Sequence, residues 1–420
     1  MGRPDRHGPL AQYRVLELGS TVAGPFCGRL FADFGAEVIK IEPAEGDAIR
    51  AIGSVVDGKS LYAASIFRNK SLISVDLRAP EGQDIVRKIV AQCDVVVENF
   101  RPGGLEKWGL GYAELARINP RIVMIRISGY GQSGPYSKRP GYGIICEAVG
   151  GLRHLIGDPD RPPARVAVSM TDYITGLYGF AGGLMALLHC QKTGVGQCVD
   201  AALYESAFSF MEQHIAAYDK LGIVAKRAGA GTGSAPNNLY VSKDRQSIHI
   251  AANSSPTFKR LMQAMARPEL VTDGRFCSAQ ARSKNRAALD AIVSQWTARH
   301  TLVELEEMLQ KVSVPATRIF TLADIFRDPH YLARQMIVHA KDEDLGSVAL
   351  SGVVPRLSAT PGKIRHSGKR IGSDTREILT TLAGLTPTDI KRLERASVIY
   401  CNSTARRSPA KKRKRVEGEH

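Results

Sequence analysis

The chain has 420 residues, 44% hydrophobic and 23% charged, which is the balance of a soluble globular protein with room for one large or two medium cores. That balance excludes disorder over the main body. The formal charge of +16 raises nucleic acid as a partner, but the tail after Tyr400 alone contributes seven basic and two acidic residues.

The remaining positive charge is spread without blocks, which suits anionic small molecules as well as it suits DNA. The basic tail, 401–420, is expected to be a disordered run. The opening MGRPDRHGPLAQYRV has no apolar core and does not read as a secretory signal. Seven cysteines, an odd number without zinc-site or redox spacing, read as thiols of a reducing, cytoplasmic compartment, with no metal site expected.

In chain order, Tyr13–Leu18 predicts a strand, GSTVAGP a loop, Phe26–Phe34 a helix closed by Gly35, and Glu37–Ile41 a second strand. Leu72–Leu77, Asp94–Glu98 and Arg121–Ile127 add strands rich in Val and Ile, as buried parallel strands are. Pro80 opens a helix that runs to about Ala91. Strands alternating with helices predict an α/β fold. Ligands of such sheets bind beyond the carboxyl ends of the strands, here Gly19–Pro25, Asn99–Gly103 and Ser128–Gly143.

Tyr173–Leu188 carries no charge. It is short for a membrane span and contains Gly176, Gly179, Gly182 and Gly183, so a helix buried on all sides is expected. RAGAGTGSAPNN, from Arg227 to Asn238, marks a boundary between bodies or a mobile loop near a site. Leu239–Ala252 reads as strand, turn, strand, with the turn at Lys243–Arg245. Two or three helices follow between Pro256 and Val312, strands and loops near Val314–Pro361, and a last amphipathic helix over about Thr375–Leu385.

The first strand, loop and helix outline a dinucleotide site, with Glu42 in the ribose position. Its glycines, Gly19, Gly24 and Gly28, are spaced G-x4-G-x3-G rather than G-x-G-x-x-G, so the outline lacks its phosphate-binding turn. No Walker A, H-E-x-x-H or G-x-S-x-G sequence occurs.

Seven motifs follow one another from about Pro9 to Ile399: VLELGSTVAGPFCGRLFADFGAEVIKIEPAEGD, FRNKSLISVDL, VVVENFRPG, ISGYGQSGPYSKRPGY, SMTDYITGLYG, KTGVGQCVDAALYES and RDPHYLARQM. In sequence and order they resemble class III CoA-transferases, the CaiB–BaiF family. The resemblance implies a large Rossmann-like α/β domain built from the amino-terminal half and a carboxy-terminal return, with a smaller domain inserted and two chains interlocked as a homodimer. The corresponding ranges are 1–226, 227–330 for the small domain, and 331–400 for the return.

The same resemblance implies CoA exchange between an acyl-CoA and a free carboxylic acid, with succinyl-CoA as a donor. CoA is then a co-substrate, and no resident cofactor or membrane partner is expected. The family's nucleophile falls on Asp172, through which aspartyl anhydride and aspartyl-CoA thioester intermediates would form. Without the resemblance, Asp172 would read as a helix cap. Motif position places CoA on backbone groups of Val22 and Ala23 and on Lys70, Asn99 and Arg101, with Lys107 and Lys138 as further cations that could equally be solvated lysines. Arg50 could be a structural ion pair.

Two departures stand out: Gly143 follows Tyr142 where the family usually has an acid, and Arg227-Ala228-Gly229-Ala230 replaces an Arg-x-Gly-Asn motif. An α-methylacyl-CoA racemase is the alternative within this fold, but its Gly-His-Asp stands here as Gly141-Tyr142-Gly143, and an unperturbed Tyr is a poor base at neutral pH. His154 reads as a surface loop residue. A CoA- or nucleic-acid-binding protein without turnover is a second alternative, resting on the tail alone.

Overall fold

The computed structural model describes residues 7–231 and 233–402, so the expected basic tail, Cys401 and Asn402 apart, lies outside the described residues. Two compact units result: Met1–Cys146 with Ser169–Ser206 and Met336–His420, and Glu147–Val168 with Ala207–Gln335. Compared with the expected ranges, 147–168 and 207–226 fall in the second unit, and the return begins at Met336.

The glycine-rich stretch is not the dividing line because Arg227, at its start, is tied into the second unit. Its guanidinium donates to the carbonyls of Asp158 at 3.0 Å, Arg161 at 3.0 Å and His154 at 3.4 Å.

In the first unit a seven-stranded sheet runs in the order Ile399–Tyr400, Ser71–Val75, Glu37–Glu42, Arg14–Glu17, Val95–Glu98, Val123–Ser128, Cys198–Ala202. All pairs are parallel except the Ile399–Tyr400 edge, which lies antiparallel on Ser71–Val75. The strands are apolar on both faces because both faces are covered. Val15, Val38, Val95, Val97 and Ile125 pack with Cys27, Phe31, Ala186 and Leu187. Their neighbours Leu16, Ile39, Val96 and Met124 point the other way and pack with Ile85, Ile89, Ile378, Leu379, Ile390 and Leu393. The sheet is thus sandwiched between helices Ala23–Asp33 and Met170–Thr193 on one face and Pro80–Val90, Thr375–Thr381 and Pro387–Arg395 on the other.

The expectation for the uncharged stretch needs correction. The helix Met170–Thr193 is buried along one face only, through Thr171, Thr175, Gly176, Gly179, Gly183, Ala186, Leu187 and Cys190. Leu177, Tyr178, Met185 and Leu188 are exposed on the described chain, Met185 by 67%. The helix has the length and composition of a membrane span, yet its glycines bring it down on the sheet: a Cβ at Gly183 would stand 2.5 Å from Ile125 Cδ1.

The second unit has a three-stranded antiparallel sheet, Ala316–Arg318, Ser247–Ala251 and Asn237–Val241 in that order. Helices Ser255–Ala264, Arg286–Thr297 and Leu302–Lys311 bury Phe258, Leu261, Leu289, Val293, Leu305 and Leu309 with Ile248 and Ile250.

Candidate active site

Three strands of the first unit, Arg14–Glu17, Val95–Glu98 and Val123–Ser128, end beside one another, and the loops beyond them enclose a cavity of about 210 Å³. Ser20–Ala23 come from the first loop, Asn99–Pro102 from the second, and Ser128, Gly129, Ser137 and Arg139–Tyr142 from the third. Asp172 and Leu203 complete the wall. The position is the one expected for a ligand of a parallel sheet.

Asp172 is the third residue of the long helix, and Ser169, not Asp172, holds its cap position. Its carboxylate makes no ion pair among the described residues, and burial pushes it up to about 6, opposed only by its own backbone N–H. A partly desolvated carboxylate at a helix start is ionised at neutral pH but weakly solvated, the state in which a carboxylate is most reactive. The Cys146 thiol is pushed up to about 11, first by burial and then by the nearby Asp172 charge. Burial, with the Tyr173 hydroxyl 3.4 Å away, raises Tyr62 beside it.

The loop opposite is held from three directions. Asn99 spans Ser20, accepting its N–H at 2.7 Å and donating to its carbonyl at 2.8 Å. Asp47 accepts the Thr21 N–H at 3.0 Å and 3.2 Å, and Thr21 sits at φ +68°, in the left-handed region. Lys40, buried, donates to the Gly19 carbonyl and pairs with Asp47 at 3.1 Å. Val22 and Ala23 then enter the helix Ala23–Asp33, whose first N–H groups are unpaired within the helix by construction. An anion or a developing oxyanion would meet these amides.

A sequence profile described as "CoA-transferase family III" matches residues 10–375. The chain belongs to CoA-transferase family III. Among the curated CoA-transferases similar to it are the succinyl-CoA–D-citramalate CoA-transferase of Chloroflexus aurantiacus and the human succinyl-CoA:glutarate CoA-transferase. The first is 46% identical over 94% of this chain and 99% of its own, the second 32% over 94% and 91%. The crystal structure of a CAIB/BAIF family protein from Brucella suis superimposes with a TM-score of 0.80 at 35% identity, covering 90% of this chain and all of that one. The racemase and non-catalytic alternatives give way to a CoA-transferase.

Within this family III chain the expected site residues separate. Val22, Ala23, Asn99, Arg101 and Asp172 line one cavity. Lys107 and Lys138 are exposed and stand outside its wall. Lys70 is fully buried, its ammonium donating to Glu17 at 2.6 Å and to the Pro25 carbonyl at 2.7 Å, so it holds a helix start rather than a phosphate. Asn99 lines the cavity, but its amide is engaged with Ser20 on both sides. Arg50 is the structural pair, bidentate to buried Glu42 at 2.7 Å twice, which also takes Glu42 from any ribose.

The Gly143 departure has a spatial cause: a Cβ there would stand 2.0 Å from Asp172 Oδ2, so the carboxylate occupies the room a side chain would take. His154 belongs to the second unit, in a short helix, Leu152–Leu155, with Nε2 3.0 Å from the Ala225 carbonyl.

Sequence reasoning missed Arg139, whose guanidinium lies 3.6 Å over the Tyr136 ring at the cavity wall. Neither Arg139 nor Arg101 makes an ion pair among the described residues. The signal was a Tyr three residues before an Arg in GPYSKRPGY, a spacing whose meaning depends on a turn that Gly134 sets at φ +86°.

Proposed function

We propose that the protein exchanges CoA between an acyl-CoA and a free dicarboxylic acid through covalent intermediates on Asp172, and that Asp172's desolvated, unpaired position is the observation that carries this reading. An Asp172 oxygen attacks the thioester carbonyl; the C–S bond breaks, giving a mixed anhydride and CoA thiolate. The thiolate attacks Asp172 Cγ and expels the first acid as its carboxylate, leaving an aspartyl-CoA thioester. The acceptor carboxylate attacks the same carbon, thiolate leaves, and its return onto the acceptor's acyl carbon frees Asp172. Every step trades one anion for another, so no proton is gained or lost overall, and the described residues of the cavity wall include no histidine.

The acyl groups named for the two curated relatives, succinyl, citramalyl and glutaryl, all keep a second carboxylate. The unpaired guanidiniums of Arg101 and Arg139 support an anionic ligand in this cavity as well. Succinyl-CoA is the proposed donor. We place the protein in the cytoplasm and as a homodimer, the exposed apolar residues of the long helix supporting the latter.

The test is to incubate with succinyl-CoA, trap with hydroxylamine or borohydride, and map the modified peptide by mass spectrometry. An adduct on the Asp172 peptide, absent in Asp172→Ala, is expected. No adduct with a panel of acyl-CoAs, alongside α-proton exchange in deuterated water, would return the racemase chemistry to first place.

A further inference from the structure

We infer that Asp47 is a positioning residue: from within the protein it holds Thr21 in a left-handed backbone conformation, and so aims the Val22 and Ala23 amides at the carbonyl that Asp172 attacks. The inference rests on the proposed exchange at Asp172 for the meaning of those amides, but its geometry stands apart from it.

Thr21 is a β-branched residue at φ +68° in the loop that faces Asp172. A β-branched residue in that region is strained and persists only where its surroundings impose it. The imposing group is Asp47. Its carboxylate takes the Thr21 N–H on both oxygens, and one of these also accepts the Ile49 N–H at 3.0 Å. Its own backbone N–H is fixed by Glu42 at 3.0 Å, and Lys40 neutralises it at 3.1 Å while gripping the preceding Gly19 carbonyl. Lys40 also lies 3.9 Å from Glu17, which pairs with Lys70 at 2.6 Å. Asp47 is 4% exposed and is not part of the wall of the cavity that holds Asp172, so it acts on that cavity through the loop.

Two roles are thereby divided along one turn. Ser20 and Thr21 spend their N–H groups on Asn99 and Asp47, and the next two, of Val22 and Ala23, are left for a ligand at the cavity wall. A rotation of the Thr21 peptide toward ordinary φ would turn the Val22 N–H away from the cavity. Loss of a single preorganised oxyanion donor lowers turnover by about 100- to 1,000-fold, and a misdirected one by less.

The test compares Asp47→Asn, Asp47→Asn/Thr21→Gly and the charge-balanced Lys40→Met/Asp47→Asn pair with and without Thr21→Gly. Each is measured for transfer from succinyl-CoA, for free-CoA binding by calorimetry, and for thermal unfolding. Asp47→Asn is expected to lower kcat by about 10- to 100-fold. Thr21→Gly, which adopts positive φ without strain, should return at least tenfold of that loss in either background, while the unfolding temperature stays at the level of its parent.

A purely structural Asp47 predicts the opposite pattern: activity following the folded fraction, with Thr21→Gly returning nothing. That result overturns the inference. Asp172→Asn is run alongside, and transfer that survives in it would sink the covalent reading while leaving the Asp47 and Thr21 comparison intact.

Discussion

Asp172 carries a charge that its surroundings disfavour. Burial holds its carboxyl at about 6 in the folded chain, above the usual aspartate range, so the folded state binds that proton more tightly than the unfolded one. Its contribution to stability is therefore present in full below about pH 4 and lost as pH rises through about 6. Above that, the ionised carboxylate costs about 1–2 kcal/mol after allowance for its partial exposure. We expect Asp172→Asn to abolish transfer while unfolding at a higher temperature than the wild type at pH 8, with the gap closing at pH 4–5. The wild-type kcat/KM should fall about tenfold per pH unit below 6. A flat acid limb, or an Asn variant no more stable at pH 8, would contradict this account of the site.

At the same scale, the glycines that disqualified a dinucleotide loop acquire a reason. A Cβ at Gly19 would stand 2.8 Å from Asn99 Oδ1, one at Gly24 3.3 Å from Asn99 Cγ, and one at Gly28 1.9 Å from Glu17 Oε2. They make room for two polar side chains that hold the loop and the buried cations. Their number and spacing were visible in the sequence, but the residues they clear lie 80, 75 and 11 positions away. Lys70 was misread for the same cause: a lysine in a motif looks like a phosphate contact until Glu17 is seen against it.

The parallel strands were legible because a sheet covered on both faces writes itself as short runs of Val and Ile between helices. The two edges were not. Cys198–Ala202 alternates exposed and half-buried residues before its last two are buried, and Ile399–Tyr400 has only two residues to show. The long helix was placed correctly but wrongly thought buried all round, since its glycines mark one close-packed face and its leucines do not declare theirs.

That glycine face makes the helix a precise spacer for the cavity. A Cβ at Gly176 would stand 2.8 Å from Phe26 Cδ1 and 2.9 Å from the Ala23 carbonyl, at the start of the helix that offers its amides. Gly176→Ala is expected to lower stability by about 1–3 kcal/mol in urea unfolding and to reduce transfer more than the loss of folded protein explains. Unchanged stability would mean the two helices can part without penalty.

At the scale of the whole molecule, the exposed Leu177, Tyr178, Met185 and Leu188 form the apolar part of a helix otherwise seated on the sheet. A homodimer would remove such residues from water. Sedimentation should therefore give about twice the 45.6 kDa chain mass for the wild type, and roughly the chain mass for Met185→Glu/Leu188→Glu. A wild-type monomer at micromolar concentration would exclude the dimer.

The Ile399–Tyr400 strand caps the exposed side of Ser71–Val75, and Leu379, Leu393 and Val398 fill the core beneath it. During synthesis the first strands leave the ribosome some three hundred residues before that cap exists. At ordinary elongation rates they wait on the order of 15–65 s with an open edge and an unfilled face. The nascent amino-terminal half thus carries an unpaired edge for most of its translation, and a chain truncated before Ile399 is expected to keep the bare edge that can recruit another strand.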